Sequence, residues 1–477
     1  MSFFPHTLPL FYLGCQRWTS KWGQCHEGWW APYRPERVHR LHSLSKSFTA
    51  TAIGLLVSEG RLNVEDRMVS LFTDALPTTV DEHLAAMRVH DLLTMRTGHA
   101  EDPTGTVVKA PDGDWVRAFL AQPVTLPPGT HSVYNSAATF MLSALVQRLT
   151  GETLLDYLRP RLLEPLGLGE ARWITNPQGI NVGGWGLYLT TEGIARFGQF
   201  YLQRGCWEGE QMLPEAWVDE ATRAQVPPGE DEASDWAQGY GFQFWRCRFD
   251  AYRADGAFGQ LCVVMPQQEA VLTITAGVQN MQRVLDHVWT HLLAGMDEHG
   301  AWPEDPGTLE TLCARCATLR LDRPKTTDET GDEWRATLLD ETYTFGPNEA
   351  QLRRARLIAG FTSCRLMVTD NWSEHTIDFG LTTWDESKTT LWAGSEETIL
   401  ARAGWTQEGT LGLEVLFIEG GFHWSSVIDK AAGVLTTWLP LTGGLEEEPL
   451  LARRDDANEA GGSTQQQEGM AYRGGSG

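Results

Sequence analysis

The sequence predicts an α+β chain: a larger mixed domain of helices and antiparallel strands, followed by a smaller β-rich domain. Three observations carry that expectation. The 477 residues exceed what one core holds at about 100–200 residues per domain. The apolar pattern switches from helical spacing to short β-rich runs after the turn-rich, acidic stretch Pro227-Pro228-Gly229-Glu230-Asp231-Glu232. A polar, charged stretch then separates these runs from a second strand-rich text that starts at Tyr343.

Taken in order, Leu44, Phe48, Ala52, Leu55 and Leu56 keep helical spacing, so 41–60 reads as a buried helix ended by Gly60. Phe140, Leu142, Leu145, Val146 and Leu149 mark a second, stopped by Gly151, and 154–163 reads as a third. Gly183-Gly184-Trp185-Gly186 breaks the chain before an amphipathic helix over 191–204. Short runs at 241–245, 251–253, 261–265 and 271–276 predict an antiparallel meander. Val284, Leu285, Val288, Trp289, Leu292 and Leu293 form one face of a closing helix. The organisation expected is a mixed domain over 1–296, a linker with some helix over 297–342, and a β-rich sandwich or small barrel over 343–452. Six or so strands are read in that second domain, at 361–368, 374–381, 389–392, 411–418, 423–427 and 434–439. The Gly-, Ser- and Gln-rich remainder, 453–477, has little to bury and reads as disordered.

Composition narrows the function classes. Apolar residues at 42% and charged residues at 21% are ordinary for a soluble globular chain. Acidic residues outnumber basic ones, 62 to 38, for a net charge of −24, which argues against nucleic-acid binding. No window approaches the ~20 apolar residues of a membrane span. The N-terminus has no basic start, and Pro5, His6 and Pro9 interrupt its apolar run, so the reading is cytoplasmic. Tyr12-Leu13-Gly14-Cys15 only loosely resembles a lipoprotein box. The eight cysteines do not make a disulfide framework, and Cys313-Ala-Arg-Cys316 reads as two cysteines one helical turn apart, without a second pair to hold zinc. No metal or organic cofactor is expected.

No Gly-x-Ser-x-Gly elbow, His-Glu-x-x-His or Gly-rich loop with Lys-Ser/Thr occurs. What remains is Ser43-Leu44-Ser45-Lys46 at the start of the first buried helix. Only six lysines occur (21, 46, 109, 325, 388 and 430), and Lys46 alone sits in a strongly apolar helix, one turn from a serine. Desolvation there favours the neutral amine, a competent base. Free N–H groups at a helix start suit a developing oxyanion. The same four residues also fit an N-cap serine with a snorkelling lysine. A second turn, Pro127 to Ser136, delivers Tyr134, Asn135 and Ser136 to the next buried helix, where the phenol is placed to relay a proton. His99 and His131 lie near these motifs and read as structural, with assistance to catalysis as the alternative, and Trp29, Trp30, Trp185, Trp207, Trp245 and Trp424 read as core, with lining of a pocket as the alternative.

The run His42 to Thr49, then Glu59-Gly60-Arg61-Leu62, Asp91 to His99, the Tyr134 turn, 176–187, Ile194-Ala195-Arg196-Phe197-Gly198 and Asp255-Gly256-Ala257-Phe258-Gly259-Gln260 together resemble the class C β-lactamase-like serine hydrolases. That group holds penicillin-binding DD-peptidases, D-aminopeptidases and family VIII carboxylesterases. The resemblance covers residues 30–296. It implies a β-lactamase/transpeptidase-like fold, an antiparallel sheet flanked by helices with a helical insertion. By the same resemblance Ser43 is the acylated nucleophile, Lys46 its base and Tyr134 the donor to the leaving group. The N–H groups of Ser43 and Gln260 form the oxyanion hole, with Gly259, Asn135 and Ser136 beside the substrate.

Two departures shape the expected substrate. The family's Tyr-x-Asn is Tyr134-Asn135-Ser136 here, and Ala257-Phe258-Gly259 stands where Lys-Thr-Gly or His-x-Gly is usual. A substrate carboxylate loses a charge-assisted contact of about 1.5–3 kcal/mol, so the expectation is cleavage of a small-molecule ester or amide through an acyl-enzyme. The rivals are a β-lactamase or D-amino-acid peptidase acting on a lactam or peptide, and an inactive relative that binds peptides or cell-wall fragments. The resemblance also implies a shortened N-terminus, few residues preceding Ser43. Oligomeric state is not legible.

Overall fold

The structure, a computed structural model, describes residues 10–13, 26–296, 305–321, 339–360, 363–381, 383–391, 396–405, 410–438 and 449–455. The tail expected from Arg453 falls outside them beyond Asp455, as do most of the expected linker and the Gly14-Cys15 pair. The chain divides into two compact units, residues 1–322 with 417–422, and residues 323–416 with 423–477.

The first unit is built on a six-stranded antiparallel sheet. Its strands are β1 (Leu10–Leu13), β2 (His26–Gly28), β3 (Trp245–Arg246), β4 (Tyr252–Gly256), β5 (Gln260–Met265) and β6 (Ala270–Thr275), in the order β2-β1-β6-β5-β4-β3. Every residue of β5 and β6 is buried, because both faces of the sheet are covered. Cys262, Val264 and Val271 point into a large helical core, while Leu261, Val263, Leu272 and Ile274 meet Leu285, Val288 and Trp289 on the other face. That alternation turns a continuous apolar run into two cores.

Four helices matter to the site. They are α1 (Ser45–Ser58), α2 (Ser136–Thr150), α3 (Thr191–Leu202) and α4 (Met281–His287). α1 is buried from Ser45 to Leu56, so it runs through the core and does not lie on it. Phe48 stacks on Phe197 of α3 at 3.8 Å, and Thr51 shares a hydrogen bond with Tyr201 at 2.7 Å. Gly198 lets α3 close on the sheet: a β-carbon there would fall 2.6 Å from Cys262 Sγ and from Val271 Cγ1.

Several local expectations shift. The helix expected over 41–60 begins as a 3₁₀ turn, His42–Leu44, and becomes α-helical at Ser45. The one over 154–163 changes to π geometry from Arg159, where Pro160 supplies no N–H. The closing helix likewise passes from α4 into a π turn at Val288–Leu292. The run 241–245 contributes only Trp245 to a strand. Gln243 holds φ +62°, and the Gly241 N–H bonds back to Phe244 O, so the chain turns there. Cys313 and Cys316 do lie on one helix, Pro306–Ala317.

The second unit is a ten-stranded antiparallel sheet running from Leu339–Phe345 to Leu450–Arg454. Its edge strands Glu374–Phe379 and Asp385–Thr389 are consecutive in the chain, and Gly380 bridges to Arg402, so the sheet curls almost into a barrel. Four of its strands were not expected, Leu339–Phe345, Arg354–Ala359, Glu397–Trp405 and Leu450–Arg454, and the run read at 389–392 meets a strand only at Thr389, the end of Asp385–Thr389. In Arg354–Ala359 the apolar residues alternate with arginines, and Arg356 pairs with Asp340 across the outer face at 2.8 Å. Charge on the solvated face masks the period of two.

No helix among the described residues is long and apolar enough to cross a membrane.

Candidate active site

Ser43 sits in the 3₁₀ turn just ahead of α1. His42 before it takes φ +47°, a left-handed bend that turns the chain from Val38–Arg40 into the helix. Lys46, in the first turn of α1, is 1% exposed. Its Nζ lies 2.9 Å from Ser43 Oγ, 2.9 Å from Ser136 Oγ and 2.7 Å from Gly184 O. Those three oxygens are the only hydrogen-bond partners described for it, and two are hydroxyls.

Burial is the main force on the Lys46 amine. It lowers the pKa to about 7, against the opposing pull of Asp102 and Asp255. A substantial fraction of Lys46 is therefore neutral near pH 7, with a lone pair among hydroxyls it can deprotonate.

Tyr134 closes the triangle. Burial pushes its phenol well above its ordinary value, against the opposing effect of the Ser43 side chain that it faces. It is a neutral proton donor at physiological pH. The Tyr134 ring centroid lies 4.8 Å from Lys46 Nζ. The ring stacks on Trp245 at 5.8 Å and 21°, and meets Tyr240 edge-on at 6.3 Å. The residue keeps 37% exposure, so one side of the ring opens to solvent.

The two residues after Tyr134 part ways. Ser136, at the start of α2, turns its hydroxyl to Lys46. Asn135 is fully buried, caps α2 by accepting from Ala138 N at 3.0 Å, and donates to Thr97. The hydroxyl noted as a departure from Tyr-x-Asn is thus the group at the centre, and Asn135 is the helix cap.

The β4–β5 hairpin forms another wall. Gly256 abuts the nucleophile turn: a β-carbon on it would lie 2.1 Å from Leu41 O and 3.1 Å from Leu44 N. Gly259 has φ +89° and packs on Val278. Gln260 is the register partner of Gly256. Its side-chain amide donates to Ala257 O at 3.2 Å and Ala276 O at 2.7 Å, so the amide stays within the hairpin.

The sequence reading passed over several residues that this geometry gathers. Gly184 was read as a chain break within the 176–187 stretch, with no role of its own, yet its carbonyl binds Lys46. Arg253 and Asp255, on β4, form a buried pair at 2.7 Å beside the site. Their i, i+2 spacing on a strand was the available signal. Asp102 is held near the start of α2 by a chain of hydrogen bonds, Ala137 N to Thr104 Oγ1 and Thr104 Oγ1 to Asp102 Oδ1.

The histidines fall outside the cluster of hydrogen bonds. His99 is buried against Phe119 and bonded to Thr97 Oγ1, and burial lowers its pKa to about 4. His131 is exposed and bonded to Thr130. Of the tryptophans singled out, Trp245 alone stacks on Tyr134, and Trp207 is core.

A family model described as Beta-lactamase matches residues 16–295. Among curated relatives, penicillin-binding protein 4 of Amycolatopsis lactamdurans is 30% identical, covering 31% of this chain and 39% of that protein. The 6-aminohexanoate-dimer hydrolase of Paenarthrobacter ureafaciens is 24% identical over 40% and 52%. The chain spans between 32% and 52% of the length of the first curated relatives it matches. Among solved structures, the octameric penicillin-binding protein homologue from Pyrococcus abyssi is 13% identical, covers 93% of this chain and 95% of its own, and has a TM-score of 0.46.

Proposed function

The chain belongs to the beta-lactamase family, and from that premise we propose that it is a serine hydrolase that cleaves a small-molecule ester or amide through an acyl-enzyme on Ser43. One observation carries the reading. A fully buried amine with a pKa near 7 lies 2.9 Å from the hydroxyl it would activate, and the Tyr134 phenol faces that same serine.

In the first half-reaction neutral Lys46 takes the Ser43 proton as Oγ bonds to the substrate carbonyl carbon. The oxyanion is met by the Ser43 N–H and by a backbone N–H of the β4–β5 turn. Gln260 was assigned there from sequence; Gly256 against Leu44 N adds its chain neighbour Ala257 as a second candidate. Tyr134 protonates the leaving oxygen or nitrogen as the carbonyl–leaving-group bond breaks, and Lys46 returns the proton to the phenol. Water then attacks the ester on Ser43, losing its proton to the same pair, and the acid departs as Oγ is reprotonated.

The charges favour an ester or amide over a substrate held by its carboxylate. Arg253, a cation on β4 of the hairpin, is fully buried and committed to Asp255, and the two carboxylates acting on Lys46 are Asp102 and Asp255. Residues 1–296 are the proposed catalytic part, with no role assigned to 343–452.

A panel of short-chain p-nitrophenyl esters, an acyl p-nitroanilide and a chromogenic cephalosporin, run on wild type and Ser43→Ala, tests the reading. Esters turned over fastest by wild type and not by Ser43→Ala, with a fluorophosphonate adduct on wild type alone, is the expected result. Turnover that survives Ser43→Ala overturns it. Faster cephalosporin turnover moves the substrate class to lactams.

A further inference from the structure

We infer that Arg253 is a positioning residue that ties the two proton-transfer groups together, holding Tyr134 through Trp245 and shielding Lys46 through Asp255. The inference rests on the serine-hydrolase reading above, and it centres on Arg253, which lies outside every motif quoted from the sequence.

The column is built by sheet geometry. Trp245 on β3 is the register partner of Arg253 on β4, so the two side chains share a face. Asp255 is two residues further along β4 and shares that face as well. Arg253 is 0% exposed. Its Nε donates to Asp255 Oδ2 at 2.7 Å, and its Nη1 to Asp235 O at 2.9 Å. Nη2 has no hydrogen-bond partner among the described residues. What it has instead are ring faces: the guanidinium carbon lies 4.4 Å from the Trp236 ring centroid and 5.8 Å from that of Trp245. A cation so desolvated draws strongly on indole faces, and this fixes the Trp245 ring.

Trp245 passes that fixity to the site. Tyr134 stacks on Trp245, and Tyr240 wedges edge-on against both rings, at 4.7 Å from Trp245. Tyr134 lies on a turn with one side open to solvent, so its phenol depends on this aromatic backing to keep facing Ser43. The other arm of the column acts on charge. Asp255 faces Lys46, as do Asp102, Tyr134 and His42 from the other elements around the amine. Pairing with Arg253 blunts the Asp255 charge, which would otherwise hold the amine protonated.

The test measures kcat, KM and the pH profile of ester hydrolysis for Trp245→Ala, Trp245→Phe, Arg253→Met and Asp255→Asn, beside Ser43→Ala and Tyr134→Phe. Expected are about tenfold losses in kcat for Trp245→Ala and Arg253→Met, with KM within about twofold and recovery in Trp245→Phe. Asp255→Asn is expected to move the acid limb to lower pH. Wild-type kcat in Trp245→Ala together with an unmoved limb in Asp255→Asn overturns the inference. Should Arg253→Met fail to fold, the Trp245 pair and Asp255→Asn decide. Full activity in Ser43→Ala or Tyr134→Phe would instead fault the serine-hydrolase reading, which separates the two failures.

Discussion

Gly184 O accepts a hydrogen bond from Lys46 Nζ at 2.7 Å, while the Gly184 α-carbon faces Ser136 so closely that a β-carbon would lie 2.8 Å from Ser136 O. One backbone residue thus orients the amine and leaves room for the hydroxyl beside it. Gly184→Ala is expected to push the start of α2 away from Lys46. A misplacement of about 1 Å at reacting groups costs on the order of 100-fold, so kcat should fall by about that factor with KM little changed. Steady-state kinetics on a p-nitrophenyl ester checks it, and a wild-type kcat would show the contact to be dispensable.

The amine sets the pH profile. Lys46 acts as base only when neutral, and burial places its pKa at about 7. Free-enzyme kcat/KM should therefore rise with pH and level off above about 7. Asp102 raises that pKa, so Asp102→Asn should move the rise to lower pH. Lys46→Ala should lose about 10²–10⁴-fold, the range for a positioned acid–base group. Rates that climb only above pH 9 would mean an amine titrating at its ordinary value and in contact with water.

How far the sequence carried this picture can be judged residue by residue. Lys46 and Ser43 were legible because a helix puts i and i+3 side by side, and a scarce lysine among apolar residues stands out. Tyr134 was legible from its turn. Ser136 was expected beside the substrate and not on Lys46, because sequence spacing says nothing of where a hydroxyl points across 90 residues. Gly184, Arg253 and Asp255 reach the site through long-range packing, and Gly256 through a close approach between hairpin and helix turn. No local pattern encodes such contacts. In the second unit, outward arginines hid the strand Arg354–Ala359, whose inward residues are small or aliphatic.

Gln243 joins the two helices that carry the site. It accepts from Ser47 Oγ with its carbonyl and from Thr139 Oγ1 with its side chain, each at 2.7 Å, and its amide donates to Leu92 O and Leu93 O. Ser47 follows Lys46, and Thr139 lies three residues after Ser136. Gln243→Leu keeps the size but strips buried partners of their bonds, which costs about 1–3 kcal/mol for each unsatisfied group. Chemical denaturation should show a loss of at least that size. Gln243→Glu keeps the acceptor for Thr139 and removes the donor to the two carbonyls, so it should separate the two halves of the network. Unchanged stability in both would assign these bonds no weight.

Acid stability follows from the buried imidazoles. His39 and His99 are each 3% exposed, and each has an Nε2 without a hydrogen-bond partner among the described residues. Burial, first among the causes for both, lowers their pKa values to about 4, with Arg37 adding to the effect on His39 and Asp102 opposing it on His99. In the unfolded chain a histidine titrates near 6.5. Between those values the unfolded state binds the extra protons, so stability is highest above about 6.5 and falls as the pH drops toward 4. The loss is up to about 3 kcal/mol per residue over that window. The excess of acidic residues also changes charge over this range, but it does so equally in wild type and in a single-site variant. The measurement is therefore a difference: Tm from pH 8 to pH 4.5 for wild type, His39→Gln and His99→Gln. The variants are expected to lose less Tm on acidification than wild type, even if they start lower at pH 8. Parallel curves would show that these rings gain water or a partner when protonated and do not resist charging.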